Sequence, residues 1–126
     1  MKSILIVDDE QIVLDVLQRI LLYLGYKVVI TDTGEQAMEE FSTQEFDLVL
    51  MDVMMPGKNG FKVAREMIDK KPDQKIVIIT GLSEDAVFSQ PISDDVHVKH
   101  VLSKPFTLEN VKAVLEEALH GQETSV

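Results

Sequence analysis

The chain contains no cysteine and no tryptophan, and cations are its minority charge, with 12 Lys and Arg against 22 Asp and Glu. Without cysteine there is no disulfide, no thiolate metal site and no thiol nucleophile, a usage that suits a reducing compartment. The net charge of -10 repels a nucleic-acid backbone, so direct nucleic-acid binding is not expected. Long hydrophobic runs are also missing. The first apolar run, Ile4 to Val7, stops at Asp8, and the next pattern carries Asp15, Gln18 and Arg19. No signal or membrane segment can be drawn, and a cytoplasmic location is expected.

Apolar types make up 45% of the 126 residues and charged types 27%, an ordinary globular balance. The length fits one domain, expected over residues 1–121 with a short polar tail at 122–126. Five short apolar runs read as strands: Ile4 to Val7, Val28 to Ile30, Leu48 to Met51, Ile76 to Ile79 and a weaker Val98 to Leu102. The middle runs are apolar throughout rather than alternating, which predicts a parallel sheet covered on both faces.

Between the strands the apolar spacing becomes helical. Val13, Leu17, Ile20 and Leu24 precede Gly25, a C-terminal cap. Thr33 with Gln36 forms a capping box before Ala37, Met38 and Phe41. A third helix starts near Asn59, carries Phe61, Ala64 and Ile68, and is over by Pro72. The last starts at Thr107 and presents Leu108, Val111, Leu115 and Leu119 before Gly121. Ser83 to Ser89 has room for two helical turns before Pro91 breaks them. Alternating strands and helices call for right-handed crossovers and a doubly wound α/β fold with helices on both faces, for which 2-1-3-4-5 is a common strand order.

In such a sheet, ligands bind beyond the carboxyl ends of the strands where the order reverses. Asp8 and Asp9 follow the first strand, Asp52 ends the third, Thr80 ends the fourth and Lys104 follows the fifth. Three carboxylates, a hydroxyl and an ammonium therefore converge on one edge. Crowded carboxylates need a cation, and an all-oxygen set without Cys or His suits Mg²⁺. A carboxylate beside Mg²⁺ can attack phosphorus and form an acyl phosphate. Taken singly, Asp8, Asp9 and Glu10 could merely favour the positive end of a helix dipole, and for Glu10 that reading is preferred. Met51, Met54 and Met55 read as packing, and His97, His100 and His120 have no ligand spacing.

Four segments carry these residues: Ile6-Val7-Asp8-Asp9-Glu10; Met51-Asp52-Val53-Met54-Met55-Pro56 with Gly60; Ile79-Thr80-Gly81; and Ser103-Lys104-Pro105-Phe106. Together they resemble the receiver domains of two-component response regulators, and the resemblance covers essentially the whole chain. It implies that Asp52 is the phosphoacceptor, Thr80 the switch hydroxyl and Lys104 the phosphoryl-binding lysine. It implies Mg²⁺ held by Asp9, Asp52 and the backbone carbonyl of Met54, with Asp8 acting through water, and a cis peptide at Lys104-Pro105. The implied role is a phosphoacceptor signalling domain, not a turnover enzyme, that assists its own phosphorylation and dephosphorylation. A sensor histidine kinase or phosphotransfer protein would supply the phosphoryl group, and the output partner is left open.

Two places depart from the family pattern. Val101 stands where the family usually carries Tyr or Phe, and Pro91 with Asp94-Asp95 replaces the usual longer helix and Gly-Ala turn. Val101 is the one support for a rival reading, a phosphorylation-independent docking scaffold with the receiver fold. An aspartyl-phosphate phosphatase of the haloacid dehalogenase type would need an acid where Met54 stands.

Overall fold

The computed structural model describes residues 1–53, 59–81 and 98–120. The segment from Ser83 through Pro91 to Asp95, together with Met54 and His97, lies outside the described residues. The apolar runs form β1 (Ser3–Val7), β2 (Lys27–Thr31), β3 (Leu48–Asp52), β4 (Ile76–Thr80) and β5 (Val98–Ser103). All pair in parallel, in the order β2-β1-β3-β4-β5. This is the expected doubly wound sheet. Every residue of β3 and β4 is buried, as continuous apolar runs require of strands covered on both faces.

Successive side chains of a strand point to opposite faces, so each central strand feeds two cores. Leu5, Val7, Val49, Met51 and Ile78 pack with α2 (Gly34–Thr43) and α3 (Gly60–Lys70) through Ala37, Phe41, Val63 and Met67. Ile4, Ile6, Leu48, Leu50 and Ile79 pack with α1 (Gln11–Tyr23) and α4 (Leu108–His120) through Leu14, Leu17, Val111 and Leu115. Each such side chain contributes roughly 1.5–3 kcal/mol of burial. A one-residue slip would exchange the two sets, so both cores enforce the pairing of Val7 with Met51 and of Asp52 with Ile79.

Local chemistry ends the helices. At the close of α1, Gly25 adopts φ 93°, and the amides of Gly25 and Tyr26 donate to Leu22 and Leu21 in a Schellman turn. The buried stripe of α1 is Leu14, Leu17 and Leu21; Val13, Ile20 and Leu24 flank it, partly buried. The expected stripe is thus turned by one residue, with the leucines at its centre. Thr33 caps α2 by accepting from the Gln36 amide, while the Gln36 side chain accepts from the amide of Asp32 rather than closing on Thr33. Asn59 caps α3 through the Phe61 amide, and Thr107 and Asn110 cap α4 reciprocally.

Gly60 fixes how closely α3 approaches β3. A Cβ there would lie 2.1 Å from the backbone oxygen of Asp52 and 2.7 Å from Cα of Val53. Neither is a side-chain end that could swing away. Gly60→Ala is therefore expected to cost about 2–3 kcal/mol or more, as overpacking does, and to lower the urea midpoint without changing the m-value.

Candidate functional site

The order reverses between β1 and β3, which lie side by side while their following helices go to opposite faces. Beyond their carboxyl ends stand Asp8 and Asp52, at 0% and 2% exposure. β1 is held level with β2 by the Asp8 amide donating to Thr31 and by the buried Thr31 hydroxyl donating to the Ile6 carbonyl. On the other side Thr80, fully buried, pairs with Ser103, and the Lys104 amide donates to the Thr80 carbonyl at 2.8 Å. That bond ties the lysine to the end of β4. The Lys104-Pro105 peptide is cis.

The Lys104 ammonium reaches across the sheet end. Its Nζ lies 2.7 Å from Glu10 Oε1, 3.1 Å from Asp8 Oδ2 and 3.8 Å from Asp52 Oδ2. Burial alone would lower its pKa, but Glu10, Asp8 and Asp52 outweigh that and hold it above the usual lysine range. Carboxylate oxygens of Asp8, Glu10 and Asp52 lie within 4.8 Å of one another. Asp8 Oδ1 accepts the Glu10 amide at 2.9 Å, whereas buried Asp8 Oδ2 faces the Lys104 ammonium at 3.1 Å. Three carboxylates against one ammonium leave the cluster negative. A buried carboxylate oxygen whose one close polar contact is that ammonium, in an all-oxygen set, fits a hard divalent cation.

The structure thus brings Asp8, Asp52 and Lys104 together, with Thr80 at the adjoining strand end. Asp9 is exposed beside them and is not among the three clustered carboxylates. Glu10, assigned above to the helix dipole, makes the shortest ion pair of the cluster. The available signal was its place two residues past Asp8, where an Asx turn folds the chain back. Val101 is 9% exposed and packs in the same core as Phe61 and Met67. His100 is half-buried, 3.9 Å from Glu117, and belongs to no group of clustered ligands among the described residues. A cavity of about 520 Å³ opens at the opposite sheet edge near Lys2, Phe46, Lys71 and Lys75. Lys71 and Lys75 there hold the carbonyls of Phe41 and Leu119, which is helix capping.

Residues 4–116 match the response regulator receiver domain. The chain belongs to this family. Among relatives of this receiver domain, the response regulator receiver protein CpdR of Brucella abortus is 37% identical over 94% of the chain and 98% of its own length. The response regulator SaeR of Staphylococcus aureus is 35% identical over 85% of the chain, which spans 46% of SaeR. The response regulator TrrA of Thermotoga maritima, solved in complex with Mg²⁺-BeF, is 34% identical over 94% of this chain and 100% of that one, with a TM-score of 0.85. TrrA has also been solved in complex with the histidine kinase ThkA; the receiver matches there with a TM-score of 0.83 at 34% identity, over 94% of this chain and 99% of that one.

Removing the ammonium while leaving the buried acids should cost about 1–3 kcal/mol in Lys104→Met, less than a fully buried pair because the site opens to water. Because the folded-state pKa of Lys104 is raised, its contribution is complete below the ordinary value of about 10.4 and is lost as pH rises through the higher folded value. Denaturant midpoints of wild type and Lys104→Met should therefore differ at neutral pH and converge in strong alkali.

Proposed function

We propose that this receiver domain takes up a phosphoryl group on Asp52 and changes its partner interactions as a result. The observation that carries the reading is a carboxylate 2% exposed, at the end of a central strand, with an ammonium 3.8 Å away. A partner histidine kinase or phosphotransfer protein is the donor. An Asp52 oxygen attacks phosphorus; the new P–O bond forms as the P–N bond to the donor imidazole breaks, and the departing nitrogen takes up a proton. The ammonium of Lys104 faces the developing charge, and the Thr80 hydroxyl offers a hydrogen bond. Water later attacks phosphorus and restores the carboxylate. The chain is a phosphoacceptor that assists these steps, not a turnover enzyme.

Asp9, Asp52 and the Met54 carbonyl would hold Mg²⁺, with Asp8 contacting it through water and Glu10 close enough to join. The ion supplies neutralisation of phosphoryl oxygens. The kinase reading draws support from the ThkA–TrrA complex and from exposed Ile12, Val16 and Leu108. Ile12 and Leu108 each lie four residues beyond a site residue, Asp8 and Lys104, and supply apolar area for a protein donor. The added charge on Asp52 would draw on Lys104 and Thr80 and shift the loops after β3 and β4, and with them the face offered to an output partner. A cytoplasmic setting is part of the proposal: among the described residues no helix is long and apolar enough to cross a membrane. Beyond Val101 in the sequence, no observation favours a phosphorylation-independent scaffold.

Incubation with a small acyl phosphate and Mg²⁺ should add one phosphoryl mass to the wild type and none to Asp52→Ala; an intact-mass spectrum without an adduct on wild type, or with equal adducts on both, sinks the proposal. Mg²⁺ at ten times its Kd should contribute about 1.4 kcal/mol of stability by mass action. Thermal melts with Mg²⁺ or a chelator should show that increment in wild type and little of it in Asp8→Asn.

A further inference from the structure

Of the three carboxylates around Lys104, the one that holds it most tightly is not the one that reacts. Nζ donates to Glu10 Oε1 at 2.7 Å but stands 3.8 Å from Asp52 Oδ2. Glu10 comes from the start of α1, 94 residues away in sequence. Its backbone is pinned: its amide donates to Asp8 Oδ1, and its carbonyl accepts the first helical bond of α1 from Leu14. Its carboxylate is 60% exposed, so it can release the lysine into water at small cost.

We propose that Glu10 is a positioning residue that parks Lys104 in the resting state and so slows phosphoryl uptake at Asp52. This rests on Asp52 being the phosphoacceptor. In transfer from an acyl phosphate, the P–O bond to the donor breaks, its carboxylate leaves with the electron pair, and the new P–O bond forms on Asp52. The charge spread over the phosphoryl oxygens needs the ammonium. Each Lys104 held by Glu10 must first let go, so the uptake rate falls by the fraction of molecules in the parked arrangement.

The test measures the initial rate of adduct formation from acetyl phosphate at saturating Mg²⁺, by intact mass, in wild type, Glu10→Gln and Glu10→Asp. Glu10→Gln removes the charge. Glu10→Asp keeps the charge but draws the carboxylate back by one methylene, and the pinned backbone prevents it from following the lysine. Both variants should load faster than wild type by about 2- to 5-fold, the range of a partly exposed ion pair, with urea midpoints lowered by no more than that pair contributes. No acceleration in either variant overturns the proposal. Acceleration in Glu10→Gln alone also overturns it, because that pattern reports repulsion of the anionic donor at the mouth of the site. Rates that rise only together with urea midpoints lowered well beyond the worth of that pair overturn it as well, reducing Glu10 to a structural role. A wild type that never forms an adduct refutes the phosphoacceptor reading itself, an outcome distinct from the other three.

Discussion

The upper edge of this sheet is organised around one ammonium group compensating carboxylates that the fold has taken out of water. Asp8 and Asp52 are buried where two neighbouring strands end together, at a separation that could not be sustained by like charges alone. Lys104 resolves the conflict from a distant segment. It can do so because β5 is paired with β4 and because its own amide is bonded to Thr80. The register of the sheet is therefore an electrostatic requirement as well as a packing one: a slip between β3 and β4 or between β4 and β5 would carry the cation away from the two buried acids. The charge that remains after compensation is negative, which suits the edge to a hard cation.

Much of this was legible in the sequence because strands buried on both faces write themselves as continuous apolar runs, and polar residues that interrupt them at their ends have few other reasons to be there. Leu48 to Met51 followed by Asp52, and Ile76 to Ile79 followed by Thr80, are of that kind. Properties set by fine rotation or by partner choice were not legible. The inner stripe of α1 turned out one residue away from the expected one, since Val13, Leu14, Ile20 and Leu21 are all apolar and spacing alone does not choose among them. Glu10 was read as a helix-end acid because the residue that claims its carboxylate lies 94 positions away, beyond any local pattern. The sequence likewise did not indicate that Asp9 would stand outside the three-carboxylate group, because adjacent aspartates are equivalent until a turn orients them.

The frame around the site is rigid where rigidity serves placement. Gly60 lets α3 press against the backbone of Asp52, and the Thr31 hydroxyl locks β2 to β1 just below Asp8. Val101 is packed into the core rather than poised at the surface, so under the proposed function any coupling between Asp52 and the outside would fall to Thr80 and Lys104.

The raised pKa of Lys104 bears on a hazard that any phosphoacceptor loaded by activated carboxylic acids must meet. Acyl phosphates carry an electrophilic carbonyl as well as an electrophilic phosphorus, and a free amine beside Asp52 would be a ready target for acylation. An amine attacks only when deprotonated. The surrounding acids favour the ammonium form of Lys104 and so withhold its lone pair; if Asp52 is loaded as proposed, the residue that faces the donor is also shielded from being consumed by it.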